Sequence, residues 1–295
     1  MTIQRGRASG GLSLYSRAAH ISSAGIIREY STSFGVATRL LGRQVRPHIE
    51  NIYGLVRIAD EVVDGAAAAA GLTIDAQRAL LNALEAETER TLQTGYSTNL
   101  TVHSFAVTAR AVGFGAEFTR PFFASMRRDL DPARFTAEEV RDYIYGSAEV
   151  IGLMCLRVFL FGVPCDSTQR GRLEGGARRL GAAFQKINFL RDLNADWNDL
   201  GRNYFPHIDP DHLTEAQKLE LIADIESDLE EAAAVIPELP QTCRLAVSAA
   251  HGLFAALTQR VRVTPAADLL AARIRVPNAG KLAIVLAATT HRRAR

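Results

Sequence analysis

The sequence predicts an all-α protein, and three observations lead to this prediction. Apolar residues recur at helical spacing along nearly the whole chain of 295 residues. Alternating β-branched runs joined by Asn-Gly or Asp-Gly turns, the usual mark of β-hairpins, are absent. The hydrophobic fraction of 47% is large enough to bury a sizeable core. We therefore expect a single helical domain over 13–295 that follows a polar, glycine-rich, flexible tail at 1–12.

Glycine- and proline-rich segments divide the helical pattern into separate elements. The breaks are "GAAAAAG" after Asp64, "FGVPCDS" at 161–167, "GRNYFPHIDP" at 201–210 and "IPELP" at 236–240. Three hydroxyl groups in "STSF" interrupt the first long helical region, which indicates a kink or a flap. The expected helices are 13–29, 32–64, 74–94, 99–112, 116–130, 136–162, 167–198, 214–235, 241–261 and 279–292.

The charge and the cysteine content exclude several classes of protein. The formal net charge is +2 with acidic and basic residues interspersed, so no basic tract indicates a nucleic acid partner. The three cysteines form no CxxC pair, which argues against a disulfide framework and a structural zinc site. No signal peptide is recognisable, and the apolar run "LAIVLAA" is too short to cross a bilayer. We therefore expect a cytoplasmic protein.

An acidic pair stands in the stretch "RIADEVVDG". On a helical wheel, Tyr53, Arg57, Asp60 and Asp64 share one narrow polar stripe, and apolar residues take most of the remaining circumference. Acidic pairs at this spacing are commonly part of a solvated surface. A helix that is apolar nearly all round is buried, however, so its polar stripe is expected to face a cavity. Two carboxylates held close together there need a counter-charge, which Arg57 or a divalent cation could provide.

A second stretch, "GAAFQKINFLRDLNADWNDLGRNYF", repeats this design. Gln185, Asn188, Asp192 and Asp196 are spaced three and four residues apart, so they line one face of a helix. A solvated acidic face would account for Asp196, but it accounts poorly for the two amides. A side-chain amide inside a buried helix is costly unless its hydrogen bonds are matched. This second stripe is therefore also expected to face a cavity.

Two helices that each present Asp-x-x-x-Asp suit magnesium better than zinc or iron. All the candidate ligands are oxygens, and Mg²⁺ is usually shared with the phosphate oxygens of a substrate. Arg57, Arg202 and the hydroxyls of "STSF" could complete a phosphate clamp. Neither GxxxxGK[ST] nor GxGxxG is present, which argues against a nucleotide and a nicotinamide cofactor. The sequence thus predicts a Mg²⁺–phosphate site in an apolar helical cavity, suited to an apolar organic diphosphate.

Several motifs resemble those of the squalene/phytoene synthases, which have the class I isoprenoid synthase fold. They follow in the family's order over about 14–290, and they are "EYSTSF", "IYGLVRIADEVVDG", "FFASMRRDL", "YIYGSAEVIGLM", "GAAFQKINFLRDLNADWNDLGRNYFP" and "RIRVPNAGKL". Within the family the chain looks most like bacterial phytoene synthases. The resemblance implies a helical bundle around a central cavity.

The resemblance also implies roles for individual residues. Those expected to bind Mg²⁺ are Asp60, Asp64, Asn188, Asp192 and Asp196. Those expected to contact the diphosphates are Ser31, Ser33, Arg57, Gln185, Asn188, Arg202 and Arg273. Those expected to act at the reaction centre itself are Tyr53, Tyr143, Arg57, Asp60 and Asp192.

The implied chemistry is the head-to-head (1-1′) condensation of two prenyl diphosphates through a cyclopropyl diphosphate. Two geranylgeranyl diphosphates giving phytoene is the favoured interpretation. The alternatives are squalene or dehydrosqualene synthesis from farnesyl diphosphate, a diterpene cyclase on the same scaffold, and a non-enzymatic assembly or binding protein. The last should have lost motif aspartates, and all four are present.

Two departures from the family pattern and two basic segments complete the prediction. Glu149 stands where the family usually has glycine, and Phe254 where many members have tyrosine. Both weaken any inference about the product. The basic segments "ARR" at 177–179 and "HRRAR" at 291–295 most simply solvate helix ends. Peripheral contact with an anionic membrane, where a very hydrophobic product must go, is the alternative for them.

Overall fold

The computed structural model describes residues 2–31, 33–131, 135–270 and 274, and every regular element in them is a helix. The Ser33 side chain, Arg273 and the expected helix at 279–292 lie outside this description. The α-helices are α1 (Thr2–Tyr30), α2 (Ser33–Arg39), α3 (Arg46–Asp64), α4 (Ala66–Ala69), α5 (Ile74–Thr94), α6 (Leu100–Val112), α7 (Ala116–Arg128), α8 (Ala137–Ile144), α9 (Val150–Phe159), α10 (Ser167–Arg191), α11 (Glu215–Val235), α12 (Gln241–Val263) and α13 (Ala266–Leu269).

The N-terminal segment differs from its prediction, because the expected loose tail at 1–12 is helical from Thr2 onwards. The later turns of α1 pack on α3 and α6, and a helix that has formed extends at little cost per added residue. The space around Gly10 and Gly11 is open, so this first part of α1 projects from the bundle. No helix in the described ranges is long and apolar enough to span a membrane.

The predicted helix over 32–64 is two helices, α2 and α3. Pro47 lies in the first turn of α3, where its missing N–H costs nothing. The Arg46 guanidinium donates to the carbonyl oxygen of Arg39 at 2.6 Å and so caps the end of α2. In the connection, the backbone N–H of Gly42 donates to the carbonyl oxygen of Thr242 on α12 at 2.8 Å.

Two π-helical turns interrupt the predicted helices 136–162 and 167–198. The first covers Tyr145–Glu149 between α8 and α9, and the second covers Ala195–Asp199 beyond the end of α10. At Gly146 an added Cβ would lie within 3.0 Å of the Pro121 carbonyl oxygen, so α7 packs directly against the first π turn. Single π turns are frequent at functional sites, and the second contains Asp196.

The core consists of two apolar clusters with a cavity between them. The first is centred on fully buried side chains of α3, α6, α7 and α9, among them Leu55, Phe105, Phe123 and Met154. The second is formed by α10, α11 and α12, around side chains such as Ile187, Leu190, Ile222 and Val261. The all-α bundle around a central cavity is therefore confirmed.

Candidate active site

The central cavity has a volume of about 330 Å³ and an almost entirely apolar wall. Residues of α2, α3, α9, α10 and α12 line it, and the lining side of α10 runs from Leu173 to Asn188. At a rise of 1.5 Å per residue this stretch is about 22 Å long. Tyr53, Gln185 and Asn188 bring polar groups to the cavity. The cavity is thus an apolar channel, and its polar end lies beside the second acidic motif.

Asn188 has a feature that points to a ligand. Its side-chain carbonyl oxygen is buried and has no hydrogen-bond partner. Such an orphaned acceptor costs free energy unless something else satisfies it. Gln185 lies one turn earlier on α10 and also lines the cavity. The two amides that sequence patterning placed at a cavity are therefore found there.

The first acidic motif lies on α3, whose apolar side is buried in the core. A carboxylate oxygen of Asp60 accepts a hydrogen bond of 2.6 Å from Arg57, and the same guanidinium pairs with Glu61. Burial, followed by the charge of Asp64, raises the pKa of Asp60 to about 6. Arg57 also lies 4.4 Å from the ring centroid of Tyr30. This end of α3 therefore carries negative charge that Arg57 only partly balances.

The second acidic motif lies at the C-terminal end of α10 and in the π turn that follows. Asp192 caps α10 and pairs with Arg191. Burial and then the charge of Asp192 raise the pKa of Asp196 to about 7, and Asp64 adds to this effect. Asp64 belongs to the first motif, so the two motifs are close enough to repel each other electrostatically. The two motifs thus lie near each other, but within the described ranges their four aspartates are not among the residues that line the cavity.

Arg202 makes hydrogen bonds to residues of both acidic motifs. Its side chain is only 5% exposed, and it donates to a carboxylate oxygen of Asp64 at 2.6 Å and to the carbonyl oxygen of Asp129 at 2.7 Å. Its backbone N–H donates to the carbonyl oxygen of Asp196 at 2.7 Å. The residue expected to clamp a diphosphate is thus already bound to the first motif.

Asp129 is a site residue that sequence reasoning missed. It is buried behind the first motif, and its two carboxylate oxygens accept hydrogen bonds from the phenols of Tyr143 at 2.9 Å and Tyr204 at 3.1 Å. The motif "FFASMRRDL" contains this aspartate, but the two arginines before it give the appearance of an exposed helix end. The signal that could have found it is a carboxyl beside a strongly apolar run.

Tyr143, which the resemblance assigns to the reaction centre, lies beside Asp129. Its side chain is buried, donates to Asp129 and packs beside the rings of Phe189 and Tyr204. Tyr143 is not among the residues that line the cavity in the described part of the chain. Tyr53 does line the cavity, and burial raises the pKa of its phenol, which keeps it protonated at neutral pH.

Ser31 lies at the start of α2, where its hydroxyl accepts a hydrogen bond of 3.1 Å from the backbone N–H of Phe34. The hydroxyl also interacts with the phenol of Tyr53. The "STSF" hydroxyl that the structure describes is therefore beside the polar end of the channel.

The donors present fit a magnesium ion that is shared with a phosphate. Nowhere in the described ranges do three or more His, Cys, Asp or Glu side chains gather closely enough to hold a metal by themselves. Each motif offers two carboxylates, and Asn188 adds a buried oxygen without a partner. Mg²⁺ keeps several waters and takes one or two carboxylates together with phosphate oxygens. An incomplete, crowded, all-oxygen donor set of this kind suits it.

The two departures from the family pattern have separate surroundings. Glu149 pairs with Arg178 on α10 at 2.6 Å, so its carboxylate is held at the helix contact. Phe254 stacks on Phe184 with ring centroids 3.7 Å apart, and Phe34 packs on both rings. Phe34 and Phe184 line the cavity, so the second departure makes its surroundings less polar.

The helical bundle, the apolar channel and the two facing aspartate motifs define a class I isoprenoid synthase fold. Solved structures of this fold are similar over most of their length. A dehydrosqualene synthase has a TM-score of 0.73 and 18% identity, with coverage of 95% of this chain and 98% of the other. Squalene synthase HpnC from Alicyclobacillus acidocaldarius has a TM-score of 0.70 and 19% identity, with coverage of 84% and 95%.

The chain belongs to the squalene/phytoene synthase family, whose model matches residues 27–279. It is 26% identical over 259 residues to the 15-cis-phytoene synthase of Paracoccus sp., with 82% of each chain covered. It is 25% identical over 181 residues to the 4,4'-diapophytoene synthase of Staphylococcus haemolyticus, with 61% of this chain and 59% of the relative covered. Family members condense prenyl diphosphates head to head, and the protein is a prenyltransferase.

Proposed function

We propose that the protein condenses two molecules of geranylgeranyl diphosphate to phytoene in a Mg²⁺-dependent reaction. The observation that carries the proposal is the apolar cavity, whose wall includes Tyr53 from the helix of the first aspartate motif and Gln185 and Asn188 from the helix of the second. The charges of Asp64 and Asp192 both act on Asp196, so the two motifs lie near each other. Such a site separates a charged diphosphate from a long hydrocarbon chain. The relative from Paracoccus, which is a phytoene synthase, supports the same substrate.

The acidic motifs bind the diphosphate end of the substrate. Asp60 and Asp64 on one side, and Asn188, Asp192 and Asp196 on the other, would hold Mg²⁺. When bound, the ion neutralises charge on the departing diphosphate. Arg57 on α3 and Ser31, which precedes α2, both interact with Tyr53 of the cavity wall, and they would donate to phosphate oxygens. Arg202 contributes by fixing Asp64.

The reaction then proceeds inside the channel. Loss of the first diphosphate gives an allylic cation, which the double bond of the second substrate attacks. Loss of a proton closes a cyclopropane and gives prephytoene diphosphate. Departure of the second diphosphate, rearrangement and loss of another proton give the 1-1′ linked hydrocarbon. The apolar wall keeps water from quenching the cations, and Tyr53 orients the reacting end through its neutral phenol.

The length of the channel supports the longer substrate. Small residues from α2, the first π turn, α9 and α10 form part of the wall, namely Ala37, Ala148, Gly152 and Gly176. They leave room beside α10 for an extended geranylgeranyl chain. The second candidate is a farnesyl diphosphate condensation. It is favoured by the similarity to a diapophytoene synthase and to the structure of a dehydrosqualene synthase.

A competition assay distinguishes these two functions. The purified protein is given equal amounts of farnesyl and geranylgeranyl diphosphate with Mg²⁺ and without NADPH, and the hydrocarbons are identified. We expect a higher catalytic efficiency with geranylgeranyl diphosphate and a C40 product. Exclusive formation of C30 material would establish the second candidate, and a cyclised C20 hydrocarbon would contradict both.

A further inference from the structure

Asp129 is the most deeply buried charged group near the acidic motifs. Its side chain is 2% exposed, and it lies between two phenols and the guanidinium of Arg202. The Nη2 atom of Arg202 donates to the backbone carbonyl oxygen of Asp129 at 2.7 Å, and its Nη1 atom lies 3.8 Å from a carboxylate oxygen of Asp129. The same Nη1 atom of Arg202 lies 2.6 Å from a carboxylate oxygen of Asp64. The guanidinium is therefore shared by two carboxylates, of which only Asp64 belongs to an acidic motif.

This sharing affects the charge available at the first motif. A buried arginine paired with Asp64 alone would largely neutralise it and compete with a cation for its oxygens. Burial raises the pKa of Asp129 to about 7, so above this pH Asp129 supplies a second negative charge and the three groups together retain one negative charge. The backbone carbonyl of Asp129 also accepts a hydrogen bond from the guanidinium, which fixes the orientation of Arg202.

We propose that Asp129 is a positioning residue, which shares the guanidinium of Arg202 with Asp64, so that Arg202 does not fully neutralise Asp64 and the first acidic motif keeps its affinity for a divalent cation. The inference rests on the proposed function, because it takes Asp64 as a ligand of the Mg²⁺–diphosphate complex. Tyr143 and Tyr204 have a supporting part, since their hydrogen bonds hold the carboxylate of Asp129 in place.

The variant Asp129→Asn tests this directly. It keeps the size of the side chain and an acceptor for one phenol, but it removes the charge. Arg202 is then held by Asp64 as its remaining carboxylate partner, and the motif becomes less negative. We expect the affinity for Mn²⁺, measured by electron paramagnetic resonance with inorganic pyrophosphate present, to fall roughly tenfold. This measurement needs no turnover.

A second variant separates positioning from simple structural damage. In Asp129→Asn/Arg202→Gln both charges of the buried pair are removed, which a folded interior tolerates better than the loss of one. Asp64 is then released from Arg202. We expect this double variant to bind Mn²⁺ more tightly than Asp129→Asn alone, whereas accumulated structural damage would weaken binding further.

Asp228→Asn is the matched control. Asp228 is also 2% exposed and ion-paired, with Arg179 at 2.9 Å and Lys186 at 2.6 Å, but these partners do not contact the acidic motifs. We expect a comparable loss of Tm with unchanged Mn²⁺ affinity.

The outcomes distinguish the inference from the proposed function. If the wild-type protein binds no Mn²⁺ with pyrophosphate, the metal site of the proposed function fails. If the wild type binds Mn²⁺, the inference is overturned by an unchanged affinity in Asp129→Asn. Weaker binding in the double variant than in the single one would also overturn it.

Discussion

At the scale of single residues, arginines partly neutralise the acidic motifs. The pairs are Arg57 with Asp60, Arg202 with Asp64 and Arg191 with Asp192. Burial still raises the pKa values of Asp60 and Asp196, with a neighbouring carboxylate as the second cause. The free protein therefore holds more negative charge at this site than its own cations balance. A bound divalent cation would relieve that repulsion.

The variants Asp60→Asn and Asp192→Asn should reduce turnover by about 10²–10³-fold or more, because neutralising the leaving group is the main catalytic effect at such a site. Turnover at saturating Mg²⁺ and the far-ultraviolet circular dichroism spectrum are the measurements. The helical spectrum should be unchanged, since removing a crowded carboxylate relieves repulsion. Near-normal turnover in either variant would exclude that motif from catalysis.

Arg57→Lys should lower kcat/KM about tenfold, because an ammonium cannot reproduce a forked guanidinium contact with phosphate. Steady-state kinetics at low substrate concentration measure this effect. The control is Arg172→Lys, since Arg172 makes a forked contact with Glu238 on an exposed surface. If Arg57→Lys behaves like the control, Arg57 serves only to pair with Asp60 and Glu61.

The sequence predicts some of these residues and misses others for physical reasons. Periodicity predicts the two polar stripes, among them Asp60, Asp64 and Asn188. A polar stripe on an otherwise apolar helix is expected to face either a cavity or solvent. Periodicity does not predict Asp129, because its burial depends on phenols and an arginine that are distant in sequence. The contact of Tyr143 with Asp129 and Tyr204 could not be predicted for the same reason, because helix patterning does not say which layer of the bundle a buried residue joins.

At the scale of elements, periodicity predicts where helices exist better than how they are interrupted. A π turn adds one residue to a turn and leaves the apolar pattern on both sides almost unchanged, so neither π turn was expected. The break between α2 and α3 had a signal, since Pro47 is typical of a helix start. The helical N-terminus was missed because composition indicates solvation and does not by itself exclude a projecting helix.

Gly146→Ala should destabilise the protein by about 1–3 kcal/mol, because the new methyl group would meet the backbone of α7 at Pro121. Chemical denaturation measures the free energy of unfolding. Gly171 and Gly175 are helical glycines of α10 with open space around them, and their alanine variants should stabilise the protein by about 0.5–1 kcal/mol. A neutral effect of Gly146→Ala would show that the first π turn can move away from α7.

At the scale of the whole molecule, small residues have two uses that the sequence does not separate. Among the small residues of the helices, Ala37, Ala148 and Gly152 line the cavity. Ala182 and Ala183 pack in the second core cluster, and Gly146 allows the close approach of α7. An alanine that lines a channel and an alanine that packs between two helices give the same pattern in the sequence. Only the packing of the bundle distinguishes them.

The stability of the metal-free protein should depend on pH in a defined direction. The pKa values of Asp60, about 6, and Asp196, about 7, lie above those of the unfolded chain. The folded protein therefore binds more protons between about pH 4 and 7, and stability falls as the pH rises through this range. Thermal unfolding in EDTA measures it, and Asp60→Asn should have a shallower dependence. An unchanged slope in that variant would contradict the electrostatic account.

The ratio of diphosphate released to hydrocarbon formed tests the central claim most directly. The purified protein is incubated with geranylgeranyl diphosphate and Mg²⁺, and both products are quantified in the same reaction, with EDTA as the parallel control. Head-to-head condensation predicts two diphosphates for each C40 hydrocarbon and no hydrocarbon in EDTA. One diphosphate for each C20 hydrocarbon, or product formation without a divalent cation, would contradict the account.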